Sequence, residues 1–163
     1  MFGLVASLLD RLVTVLGWIG AFLIGLIPAI YCYEVAARYF FSAPTTWSYE
    51  SGGYLLCLGT LLCAPVVTRE HGHVAIVFVA ETLPMASRRR LESAIGLAAA
   101  AVCLAVAATT ADEVSSQIAR NVQTTAAFAI PKWWLTAALP YALAASGLYF
   151  IRDAILTRAA PSA

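Results

Sequence analysis

The residues of this chain that could do chemistry are few: two histidines, four cysteines and nine carboxylates in 163 residues. Haem held between two histidines needs pairs of them deep in facing helices, and only His71 and His73 exist, two apart in one stretch. Cys32, Cys57, Cys63 and Cys103 all lie in apolar sequence and form no C-x-x-C pair. They read as small hydrophobes packed in the core rather than as ligands. There is no glycine-rich phosphate loop and no H-E-x-x-H, and nothing in the spacing gathers Ser, His and Asp. No catalytic, cofactor-binding or metal-binding residue is assigned, and the chain reads as a non-enzyme.

A solute path would show an acid or base at the depth of the hydrocarbon. The middles of the four apolar blocks described below hold no ionisable side chain apart from Cys and Tyr, and hydroxyls such as Thr60 and Ser146 commonly join helices. The polar residues sit at block ends instead. Glu34 and Arg38, four apart, share a helix face; they form either an ion pair that tolerates the interface or a bridge to a partner. Glu50, three residues after Trp47, is placed to cap or pair at the start of the second block. Arg69-Glu70-His71-Gly72-His73 makes a polar knot at the end of that block.

These groups must be positioned by helices in lipid. Hydrophobic residues make up 61% of the chain, charged residues 12%, and the mean hydropathy is +0.82. A soluble fold of this size buries only about 70% of its unfolded surface, too little to hide such a composition. Leu12–Tyr33, Ser51–Thr68, Ser93–Ala111 and Trp133–Ile151 are uncharged. Each approaches the roughly 20 residues a helix needs to cross the hydrocarbon. The fold class is therefore all-α integral membrane, a single domain over residues 1–163 with spans near 12–37, 48–68, 90–117 and 132–152. With both termini in the cytoplasm, seven of the Lys and Arg residues lie inside and three (Arg38, Arg120, Lys132) outside, the bias expected of membrane proteins. A net charge of +1 and no basic run beyond Arg88–Arg90 argue against nucleic acid as a partner. The N-terminal stretch lacks the basic start of a signal peptide and is expected to stay attached.

Two further segments are predicted at the cytoplasmic face. Met1–Leu16 places Phe2, Leu4, Val5, Leu8, Leu9, Leu12 and Leu16 at helical spacing, with Asp10, Arg11 and Thr14 on much of the opposite side. It reads as an amphipathic helix lying on the membrane surface, the alternative being a plain extension of the first span. Val74–Ala80, too short to cross, is expected to be a short interfacial segment ended by Pro84. Trp47, Trp133 and Trp134 fall where an aromatic belt would mark the outer interface.

The order Arg38…Pro44-x-x-Trp47-x-x-Glu50, Gly59, Arg69-x-x-Gly72-His73, Leu83-Pro84, and then Ile130-Pro131-x-Trp133 with Leu139-Pro140, resembles the small (Q-type) membrane subunit of tripartite ATP-independent periplasmic (TRAP) transporters. The resemblance covers nearly the whole chain. One departure is Val74-Ala75-Ile76-Val77, where that family often carries polar residues. The resemblance implies a non-catalytic subunit of a secondary importer of organic acids in the bacterial inner membrane. It would scaffold a large membrane subunit as a heterodimer and help dock a periplasmic binding protein. Sodium coupling is then expected in the large subunit, with no cofactor in this one. Glu34, Arg38, Trp47, Glu50, Arg69, His73, Pro131 and Trp133 become subunit-interface or structural candidates. The competing reading is an autonomous homo-oligomeric transporter or channel.

Overall fold

The computed structural model describes residues 2–42, 45, 47–70, 85–124 and 130–159. Five helices follow in order: α1 (Phe2–Phe41), α2 (Trp47–Arg69), α3 (Met85–Ala119), the single turn α4 (Trp133–Thr136) and α5 (Ala138–Ala159). Four stretches are long and apolar enough to cross a membrane: Ala6–Phe40, Trp47–Arg69, Leu91–Ala119 and Trp133–Ile155. The protein is thus an all-α membrane protein, and each uncharged block falls within one of these stretches.

The helices pack as two antiparallel hairpins, α1 with α2 and α3 with α5, joined chiefly by α2 against α5. Glycine makes the first hairpin close. A Cβ on Gly20 would stand 2.8 Å from the Gly59 carbonyl oxygen, and one on Gly59 would stand 3.0 Å from that of Gly20. Small residues allow this approach in lipid, where contact between backbones supplies much of the attraction. Val13, Ala145 and Tyr149 form a buried cluster flanked by Leu9, Val66 and Tyr141.

The surface helix predicted for Met1–Leu16 is not a separate element. α1 runs unbroken for 40 residues, about 60 Å at helical rise. The reason is visible in its packing: Val13 is fully buried against α5, and Asp10 and Thr14, read as a water-facing side, bond to α5 and α2. The core reading of the cysteines is also corrected. Cys32 and Cys57 are exposed on their helices, while Cys63 and Cys103 are half-buried. The predicted segment Val74–Ala80 and the residues His71 and His73 lie outside the described residues.

α3 ends through a left-handed residue, Asn121 (φ 49°). The Val122 amide returns to the Gln117 carbonyl at 3.1 Å and the Asn121 amide to that of Ile118 at 3.2 Å, the paired bonds that close a helix C-terminus. The chain then turns through a bridge between Gln123 and Pro131 into α4.

Candidate functional site

The α1–α2 junction is built on Glu34, which is only 6% exposed. Its Oε1 accepts from Arg38 Nη2 at 2.8 Å, and its Oε2 accepts from the Ser48 hydroxyl at 2.8 Å and the Thr45 amide at 3.3 Å. Donors from α1, the connection and α2 converge on one carboxylate and fix the turn between the helices. Arg38 uses one nitrogen on Glu34 while 63% of its side chain stays exposed. Trp47 opens α2 with its ring centred 6.2 Å from that of Tyr33. Glu50 lies in the first turn of α2, where the helix dipole favours an acid. With Ile27, Tyr31 and Gly52 it lines an open groove of about 570 Å³. Gly52 leaves the Tyr31 hydroxyl its seat, since a Cβ there would come within 2.6 Å of that oxygen.

Arg69 belongs to a second group, at the opposite end of α2. Its Nη1 donates to Thr14 Oγ1 at 2.8 Å, and the Thr14 hydroxyl donates to the Asp10 carbonyl at 2.7 Å. The Asp10 carboxylate accepts from the Tyr149 hydroxyl at 2.7 Å and lies 3.5 Å from Arg152. Thr68 and Ser146 meet at 3.2 Å between α2 and α5, and Ser93 of α3 donates to the Ala154 carbonyl of α5 at 3.3 Å. Together these polar contacts tie all four crossing helices to one another.

Pro131 and Trp133 fall in a third group, at the turn between α3 and α5. The Thr124 amide bonds to the Ile130 carbonyl and the Lys132 amide to that of Val122, each at 3.0 Å. Pro131 has no amide hydrogen to place, so it fits the unpaired side of this short bridge. Trp133 packs edge-on to Trp134 at 5.9 Å. Beneath them Gln117, 3% exposed, donates to Glu113 at 3.0 Å and accepts from Thr136 at 2.6 Å.

The eight sequence candidates therefore do not form one site. Glu34, Arg38, Trp47 and Glu50 share the first junction, Arg69 the second, Pro131 and Trp133 the third, and His73 is outside the described residues. Among the described residues, no three His, Cys, Asp or Glu side chains gather as a metal site would require. The buried polar side chains Glu34, Ser48, Gln117 and Ser146 all bond within the chain, helix to helix or helix to loop. Thr45 Oγ1 and Tyr141 Oη are the buried side-chain atoms without a partner among the described residues.

Sequence reasoning missed Asp10, Thr14, Tyr149, Ser93, Gln117 and Thr136. A signal was present for the first: Asp10 sits one turn before the buried Val13, and α5 carries Tyr149 and Arg152 three apart. An acid on the edge of an apolar stripe, with a matching donor pair elsewhere, is a pairing to look for.

The family model described as "Tripartite ATP-independent periplasmic transporters, DctQ component" matches residues 27–159. The match takes in the α1–α2 and α3–α5 junctions and starts beyond Asp10 and Thr14. No curated protein matches the chain.

Proposed function

Because the chain belongs to the DctQ-component family of tripartite ATP-independent periplasmic transporters, we propose that it is the stationary scaffold against which a large membrane subunit moves. It is the small membrane component of such a transporter, and the large subunit carries the organic acid and the coupling sodium. The observation that carries this reading is where the polar groups are spent. Buried polar side chains bond one helix to the next, so they stiffen the bundle rather than line a path for a solute. The exposed apolar faces of α1 and α3 (Trp18, Phe22, Ile95 and Val102 among them) offer the area that lipid and a partner helix would cover.

The α1–α2 and α3–α5 junctions are the parts of the chain offered to a periplasmic binding protein, and Arg38, bonded to Glu34 through one nitrogen, keeps most of its side chain exposed there. On this reading the protein lies in the bacterial inner membrane with both termini in the cytoplasm, which seven Lys and Arg inside against three outside support. The test is to co-express the chain with its large membrane subunit and to purify through a tag on this chain alone. A stoichiometric complex is expected. Recovery of this chain as a homo-oligomer without the large subunit would favour the autonomous-carrier reading instead.

A further inference from the structure

The geometry points to a bundle that leans in the bilayer, its helix axes about 35–40° from the membrane normal along the line from α2 to α3. The inference rests on the register of the helices and on their charge-free blocks, not on the transport reading above.

Inter-helix contacts fix which residues share a level. Gly20 of α1 faces Leu62 of α2. The parallel helices α2 and α5 are aligned by Thr68 against Ser146, so Leu62 is level with Pro140, six residues back along each. On α3, Pro140 is bracketed by two contacts, Gly147 against Cys103 and Leu104, and Thr136 against Gln117. The chain runs antiparallel there, so the level of Pro140 falls within the turn Thr110–Glu113. Gly20 and Leu62 lie within a turn of the midpoints of the uncharged blocks Leu12–Tyr33 and Ser51–Thr68. Asp112 is thus level with the centre of the apolar part of the first hairpin.

The same register places Val102, the midpoint of the α3 block Ser93–Ala111, beside the α2 end where Arg69 stands. In an upright bundle, lipid covering α1 and α2 would hold Asp112 at mid-depth. That side chain is exposed, outside the buried stripe of Ser93, Ala100, Ala107 and Gln117. The same placement would leave the exposed Ile95 and Leu97 in cytoplasmic water. Both effects oppose the upright arrangement, because a carboxylate at mid-membrane and an apolar face in water are each unfavourable.

Leaning removes both. The apolar block shifts by nine residues, Thr60 to Arg69, between α2 and α3, about 14 Å of helix. α5 lies between these helices, and two packing distances of about 8–10 Å separate them. A rise of about 14 Å over roughly 16–20 Å sets the angle, at the upper end of the tilts that spanning helices adopt. The oblique path also accommodates the unusual lengths of α1 and α3, 40 and 35 residues.

Spin-label depth measurements test this directly. In the full chain in lipid nanodiscs, with Cys32, Cys57, Cys63 and Cys103 replaced by alanine, single labels are introduced through Phe22→Cys, Ile95→Cys, Val102→Cys and Asp112→Cys. All four positions are exposed, so a label fits each. The expected result is that Phe22 and Val102 report the same oxygen-rich depth and Ile95 remains in hydrocarbon. Asp112 should collide severalfold more often than Val102 with a water-soluble nickel chelate. Nickel exposure at Val102 or Ile95 equal to or above that at Asp112 would overturn the proposal. Because Ile95 and Val102 report independently, loss of one variant to poor insertion leaves the comparison intact.

Discussion

Adding one methyl group at Gly20 measures how much the α1–α2 crossing depends on close backbone approach. In Gly20→Ala the new Cβ would stand 2.8 Å from the Gly59 carbonyl oxygen, 2.9 Å from Cys63 Sγ and 3.0 Å from Leu62 Cβ. Two of these neighbours are backbone or Cβ atoms that move only with their helix. Restoring ordinary contact therefore separates α1 from α2 by about half an ångström, and overpacking of this kind costs about 1–3 kcal/mol. Gly25, five residues further along the same helix, has nothing within 4 Å of its would-be Cβ. Gly25→Ala keeps the helix-propensity gain of about 1 kcal/mol without the clash. Comparing the two variants cancels propensity and leaves the packing cost alone. At about 2–4 °C per kcal/mol for a domain of this size, Gly20→Ala should melt roughly 2–12 °C below Gly25→Ala. Thermal unfolding of the purified complex in detergent, followed by tryptophan fluorescence, gives both midpoints. A midpoint for Gly20→Ala equal to or above that of Gly25→Ala would refute the close-crossing argument.

Three further outcomes are expected. Glu34→Gln should lower the melting temperature of the chain, since its buried carboxylate gathers three donors, whereas Arg38→Lys, which keeps a charged donor for Glu34, should change melting less and reduce recovery of the complex with the large subunit. Equal effects of both variants on melting would remove the distinction between an internal clamp and an outward-facing group. Thr68→Val should destabilise by roughly 0.6 kcal/mol and by no more than about 1.7, the range for hydrogen bonds between membrane helices, and Ser146→Ala should add little once Thr68 is gone. Additive losses in the double variant would show that the two hydroxyls do not act as a pair. Tyr149→Phe and Asp10→Asn should each speed amide hydrogen exchange in the first turns of α1, and the double variant should exchange no faster than the faster single one. Unchanged exchange in both would detach the N-terminal turns from the Asp10–Tyr149 bond.

Much of this molecule was readable in its sequence, for physical reasons that also mark where reading stopped. Four uncharged blocks bounded by charges mean four crossings because hydrocarbon admits few alternatives. The Glu34–Arg38 pair was visible as a four-residue spacing, but its orientation was not. Helical spacing fixes which side chains share a face and says nothing of what that face meets, so the inward turn of Glu34 onto Ser48 stayed hidden. The same limit explains Met1–Leu16. An amphipathic stripe looks alike whether its polar side meets water or, as with Asp10 and Tyr149, a partner 139 residues away. The stagger of the apolar blocks was equally out of reach, since it exists only once contacts such as Thr68 with Ser146 set the helices against one another.

Transport in reconstituted vesicles decides whether this chain is a stationary accessory. Liposomes carrying the large subunit alone, this chain alone, or both would be given the binding protein loaded with its organic acid and an inward sodium gradient. Uptake is expected only when both membrane components are present. Solute movement by this chain on its own, or full uptake by the large subunit without it, would contradict a scaffold whose polar groups are spent in holding its own helices together.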